Sequence, residues 1–148
     1  MPLDQSFIGR TYPPTAPYRV GREKIHEFAD AIGARDVAYH DVAEAKALGH
    51  RDVVAPPTFP IVLTSAAGQV IIDDPALGVD YSRVVHGDQR FAYTRPIFAG
   101  DELRCVCTVE EIMSRGGLDF LTIRTDVTDA MGAPVVSVWS RLVVRGSE

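Results

Sequence analysis

Ile61-Val62-Leu63-Thr64-Ser65-Ala66-Ala67-Gly68-Gln69-Val70-Ile71-Ile72 is the stretch on which the fold turns. It is apolar on nearly every side of a helical wheel, and a helix that is hydrophobic all round is a buried helix. The segment before it, Ala55-Pro56-Pro57-Thr58-Phe59-Pro60, is punctuated by proline. A helix accepts proline in its first turn because the N–H that proline lacks would have had no partner there. The expectation is a helix starting near Thr58 and ended by Asp73-Asp74-Pro75.

Downstream of this helix the apolar period changes. From Val84 onward it falls from about 3.6 to 2, the signature of half-buried strands. Phe91 and Tyr93 alternate with Arg90, Ala92 and Thr94; Leu103, Cys105, Cys107 and Val109 with Glu102, Arg104 and Thr108; Leu121, Ile123 and Val127 with Thr122, Arg124 and Asp126. Gly100-Asp101, Gly116-Gly117 and Met131-Gly132 supply the reversals between strands. A last strand runs from about Pro134 to Val144, with Val136, Val138 and Val144 on one face and Trp139 on the other.

Upstream lies a Pro-rich segment from Tyr12 to Pro17, then a short amphipathic helix. Gly21 caps it, Ile25, Phe28, Ala29 and Ile32 share its apolar face, and Gly33 ends it. A second short helix is expected from Asp41, as N-cap, to Leu48, with Gly49 as the stop. Ala34 to His40 is the polar connection between the two, and His26 and His50 are expected at the surface.

The 148 residues, 46% of them hydrophobic, suit one domain spanning 1–148 with a real core. A net charge of −5 and a pI near 5.3 argue against a protein built to grip nucleic acid. Neither a secretory signal nor an apolar run of membrane-spanning length is seen, so a cytoplasmic protein is expected. Cys105 and Cys107, two apart on a strand, read as reduced core thiols; no further ligand lies at a suitable spacing, and no structural metal is expected in the protein.

One wholly apolar helix followed by an antiparallel meander is an α+β pattern. Nothing else in the chain is large enough to cover the helix, so the sheet must wrap it: a single hot-dog fold, an antiparallel sheet around a buried central helix. Such a sheet has exposed edges and an open mouth, and pairing two copies removes both, so a dimer is expected.

Two segments carry a family resemblance: residues 34–59, and the run His86-Gly87-Asp88-Gln89-Arg90-Phe91-Ala92-Tyr93-Thr94-Arg95-Pro96-Ile97-Phe98-Ala99-Gly100-Asp101. Both resemble MaoC-like (R)-specific enoyl hydratases and (3R)-hydroxyacyl dehydratases. The nearest likeness is to the non-catalytic, substrate-binding component of two-component (3R)-hydroxyacyl-ACP dehydratases. The resemblance implies a ligand that is an acyl thioester of coenzyme A or acyl carrier protein, and no cofactor. It also implies a homodimer, or a heterodimer with a catalytic MaoC-like partner. The family motif Gly-Asp-x-Asn-Pro-x-His is degenerate here. Counting back from Gly49, its His falls on Tyr39, His40 is one place away, and Asp36 sits closer than the family's Asp does.

Asp36 and His40 are thus the candidate acid and base, and Tyr39 is a candidate channel-lining residue. The family's oxyanion donors are amides at the start of the buried helix, where Pro56, Pro57 and Pro60 donate none and Thr58 and Phe59 still can. His86 and Gln89 are candidates for contact with the acyl-pantetheine group, and Arg22, Lys24, Arg51, Arg90 and Arg95 for recruiting an acidic carrier. Three functions follow: an acyl-thioester-binding subunit of a dehydratase; a self-sufficient homodimeric hydratase using Asp36 and His40; or a non-enzymatic acyl-thioester or lipid-binding module.

Overall fold

The computed structural model describes residues 2–146. Along the chain come β1 (Tyr18–Arg19), α1 (Arg22–Ala31), α2 (Val42–Ala47), α3 (Ile61–Ile72), β2 (Val84–Tyr93), β3 (Glu102–Arg115), β4 (Leu118–Thr128) and β5 (Pro134–Arg145). The strands form one antiparallel sheet in the order β1-β3-β4-β5-β2. Curled into a half-barrel with α3 packed on β3 and β4, this is a hot-dog fold. No helix among the described residues is long and apolar enough to cross a membrane.

Local chemistry accounts for most boundaries. Asp41 caps α2 by accepting from the Glu44 amide, and Gly49 leaves the helix at φ +94°. Gly116 and Gly117 both hold positive φ, as a two-residue turn matched to strand twist requires, so β3 and β4 form a tight hairpin. In β3 a bulge between Val109 and Glu111 inserts one residue. The inward side therefore moves from odd positions (Leu103, Cys105, Cys107, Val109) to Ile112.

Three features differ from the sequence expectation. First, α3 begins at Ile61, not near Thr58. Proline pushes the residue before it out of helical geometry, so residues 57–60 form turns and the first helical bond is from the Thr64 amide to the Pro60 carbonyl. Second, α3 is not buried all round: Leu63, Thr64, Ala67, Gly68 and Ile71 are buried, whereas Ser65, Ala66 and Val70 do not share that burial, because five strands cover only one side of the helix. Third, Ile32 is half exposed, since the chain leaves helical geometry there and Gly33 turns at φ +71°.

The Pro-rich segment also has a role that its composition did not reveal. The amides of Gly9, Tyr12 and Thr15 donate to Val109, Cys107 and Cys105, and β1 continues the same edge. One edge of the sheet is thereby closed within the chain. The outer edge of β2 has no partner strand among the described residues.

Candidate functional site

Two cavities border α3 and the loop that leads into it. The first, about 350 Å³, lies between that loop and the far end of β2, and its walls include Tyr39, Ala55, Pro57, Tyr93 and Arg95. Tyr39 ends a short 3-10 turn that Asp36 caps by accepting from the Ala38 amide at 3.0 Å. Across the cavity the Tyr93 hydroxyl donates to the Pro57 carbonyl at 2.6 Å. Burial, and then the neighbouring Tyr39, hold the Tyr93 proton well above the usual phenol range. Tyr93 is a wall of this site that sequence reading registered only as a strand residue.

The second cavity, about 320 Å³, lies between α3 and the strands β2, β4 and β5. His86 and Gln89 both line it, although residues three apart on a regular strand face opposite ways. A bulge between His86 and Asp88 inserts Gly87 and reverses the parity. Glycine suits that place, since a Cβ there would lie 3.1 Å from the Arg141 carbonyl oxygen. The Gln89 carbonyl oxygen is 2.9 Å from His86 Nε2 and accepts from the Ser140 hydroxyl at 2.9 Å. Gln89 Nε2 and Thr64 Oγ1 are buried without a partner among the described residues. The one sequence signal for Thr64 was a hydroxyl, like that of its neighbour Ser65, in a largely apolar run.

The remaining candidates are placed elsewhere. Asp36 and His40 share no hydrogen bond: the Asp36 carboxylate takes the Ala38 amide, while the His40 ring nitrogens face the Ala34 carbonyl and His26. Phe59 is a core residue with its ring fully buried edge-on to Phe28, and its amide is taken by the Pro56 carbonyl. Thr58 is exposed, and its carbonyl accepts from the Ile61 amide. No Asp or Glu among the described residues lines either cavity.

Four of the five cations expected to recruit a carrier are already paired within the chain: Arg22 with Asp52, Lys24 with Glu27, and Arg51 and Arg95 with Asp101. Arg90 lies over the Trp139 ring instead. His50, expected at the surface, is half-buried against Phe98. The run from Arg95 to Asp101 is a structural clip. Buried Asp101 accepts from Arg95, Arg51 and the Phe98 amide, while the chain around it bonds to Val20, Val53 and Ala55. The clip fixes the segment that leads into α3.

A family model described as FAS1-like, dehydratase domain region, matches residues 6–138. A UPF0336 protein of Streptomyces coelicolor is 57% identical over 148 residues, covering 100% of this chain and 99% of the relative. A UPF0336 protein of Saccharopolyspora erythraea is 57% identical over 147 residues, covering 99% and 94%. Among solved structures, a MaoC-like dehydratase superposes with a TM-score of 0.89 at 31% identity, over 96% of this chain and 43% of that one. The HadBC (3R-hydroxyacyl-ACP dehydratase) complex from Mycobacterium tuberculosis gives 0.83 at 29% identity, over 93% of this chain and 96% of that one.

Proposed function

Since this chain belongs to the MaoC-like dehydratase family, we propose that it is the acyl-thioester-binding subunit of a (3R)-hydroxyacyl dehydratase whose acid and base come from a catalytic partner. The observation that carries this reading is Tyr39. Counted back from Gly49 it falls where the family resemblance puts the catalytic His, and it faces a cavity without a carboxylate. Dehydration needs a base for the α-proton of the thioester and an acid for the departing β-hydroxyl. A phenol, ordinarily near pKa 10, is a poor base at neutral pH, and Tyr93 beside it holds its proton more tightly still.

What the chain offers instead is binding. The cavity along α3 combines apolar walls with two unpartnered polar groups, Gln89 Nε2 and Thr64 Oγ1, and unmet buried polar atoms are costly unless a ligand satisfies them. A thioester or pantetheine amide carbonyl is an acceptor of the right kind, with coenzyme A or acyl carrier protein as its source. His86 holds the Gln89 amide in place for it. The open edge of β2 and the uncovered side of α3 are the surfaces on which a catalytic partner would sit.

The test is turnover of a 3-hydroxyacyl or trans-2-enoyl thioester, followed by enoyl-thioester absorbance. The expected result is none with the purified chain, and turnover with a MaoC-like catalytic partner that survives His40→Ala in this chain. Turnover by the isolated chain that His40→Ala abolishes would establish a self-sufficient hydratase using Asp36 and His40. Ligand binding without turnover in any pairing would establish a non-enzymatic binding module.

A further inference from the structure

His26, Asp30 and His40 lie together at the surface, away from both cavities, and are the one such cluster of metal-binding type among the described residues. His26 and Asp30 are four apart on α1 and share a face. His40 is brought to them by the tight exit from α1, where Gly33 turns at positive φ and the Ala34 amide returns to the Ala29 carbonyl.

The tautomers follow from the partners. His40 Nε2 is 2.9 Å from the Ala34 carbonyl oxygen, which can only accept, so that nitrogen carries the proton. His26 Nε2 is 3.2 Å from the Asp30 carboxylate, likewise an acceptor. With both rings neutral, these partners leave each Nδ1 a lone pair, and the two Nδ1 atoms face each other at 2.5 Å. Two lone pairs that converge in this way need a positive charge between them, a proton or a metal ion.

We infer that His26 Nδ1 and His40 Nδ1 are ligands of a divalent transition metal, zinc being the ion that two imidazoles suit, with water completing the shell and Asp30 orienting His26. A hydrogen bond from the second ring nitrogen to a carbonyl or carboxylate is the usual support of a metal-bound His; His40 has one to the Ala34 carbonyl, and His26 Nε2 has the Asp30 carboxylate at ion-pair distance. Zinc–nitrogen distances of about 2.0–2.1 Å set tetrahedral ligands roughly 3.3 Å apart, so the rings separate by somewhat under ~1 Å to admit the ion. His26, half exposed on a helix surface, has room to do so. The bound ion ties the end of α1 to the turn that carries Tyr39. Cys105 and Cys107 do not compete for it: burial pushes the Cys105 thiol up to about 12 and raises Cys107 as well, so neither offers a thiolate.

The inference does not depend on the proposed function, and its test reads metal rather than turnover. Tag-free protein, stripped with a chelator, is titrated with zinc chloride against a chromogenic competitor, and thermal unfolding is followed with and without zinc. One equivalent per chain and a zinc-dependent rise in Tm are expected. Loss of a supporting group alone costs about 10- to 100-fold in affinity, the effect expected of Asp30→Asn. His26→Ala and His40→Ala should each cost at least as much, and His50→Ala nothing. His26→Ala places the best helix former at an exposed helical position, so its folding is secure. Wild-type affinity no tighter than that of His26→Ala would overturn the inference and leave a proton shared between the two rings.

Discussion

Replacing Asp101 by Ala removes the centre of the clip that positions the segment before α3. Asp101 is 6% exposed and accepts from the Phe98 amide at 2.9 Å, from Arg95 at 2.9 and 3.2 Å, and from Arg51. A hydrogen bond to a charged acceptor contributes about 1.5–3 kcal/mol, which the Phe98 amide loses in full. The Arg51 side chain is 58% exposed, so its pair adds only about 0–1 kcal/mol. Arg95 is 27% exposed and keeps Asp129 at 3.4 Å, so its loss is partial. Removing one partner of a buried pair typically costs about 3–5 kcal/mol, and the accessible arginines place this case at the lower end, about 3 kcal/mol. At roughly 2–4 °C per kcal/mol for a chain of this size, Tm should fall by about 6–12 °C. Asp101→Asn retains an acceptor for the Phe98 amide and loses only the charge, so about half that fall is expected. Thermal unfolding followed by circular dichroism, with urea midpoints as a second measure, decides it. A fall of less than about 2 °C for Asp101→Ala would show that the carboxylate does not hold the clip.

Three further outcomes are expected. Phe59→Ala empties a fully buried site beside Phe28 and should cost about 3–5 kcal/mol in urea denaturation; a cost below about 1 kcal/mol would mean that the ring is not packed as described. Burial raises both thiols, Cys105 to about 12, so native protein should resist thiol reagents until it unfolds. Their contribution to stability should be intact below about pH 8.5, where a free thiol titrates, and decline as pH rises towards the native values, because the unfolded chain gives up protons that the folded one keeps. Asp52 and Asp129 titrate below the usual carboxylate range, Asp52 through its hydrogen bond from Arg22 and Asp129 through the Ala133 amide. Their contribution is present above about pH 3.9 and lost as pH falls through the lower native values, so the urea midpoint should drop in that window. Arg22→Ala, by returning Asp52 towards its ordinary value, should flatten part of that drop.

The order of elements was legible in local chemistry. An apolar run at 61–72, period-2 alternation after Val84, paired glycines at 116–117 and the Asp41 cap each depend on backbone sterics and on residues a few places away, and each lies where the pattern put it. The family likeness was legible for the same reason, being carried by contiguous runs. Which side chains meet was decided by tertiary structure. His86 and Gln89 share a cavity only because Gly87 bulges against β5, and Asp36 and His40, four apart in sequence, turn to different partners. Arginines that looked available are held by carboxylates from 6 to 50 positions away. Periodicity records whether a residue faces inward or outward. It carries no information on strand register, bulges or the curl of the sheet, and those long-range terms bring Tyr39 opposite Tyr93, leave one side of α3 uncovered and set the His26 and His40 rings against each other.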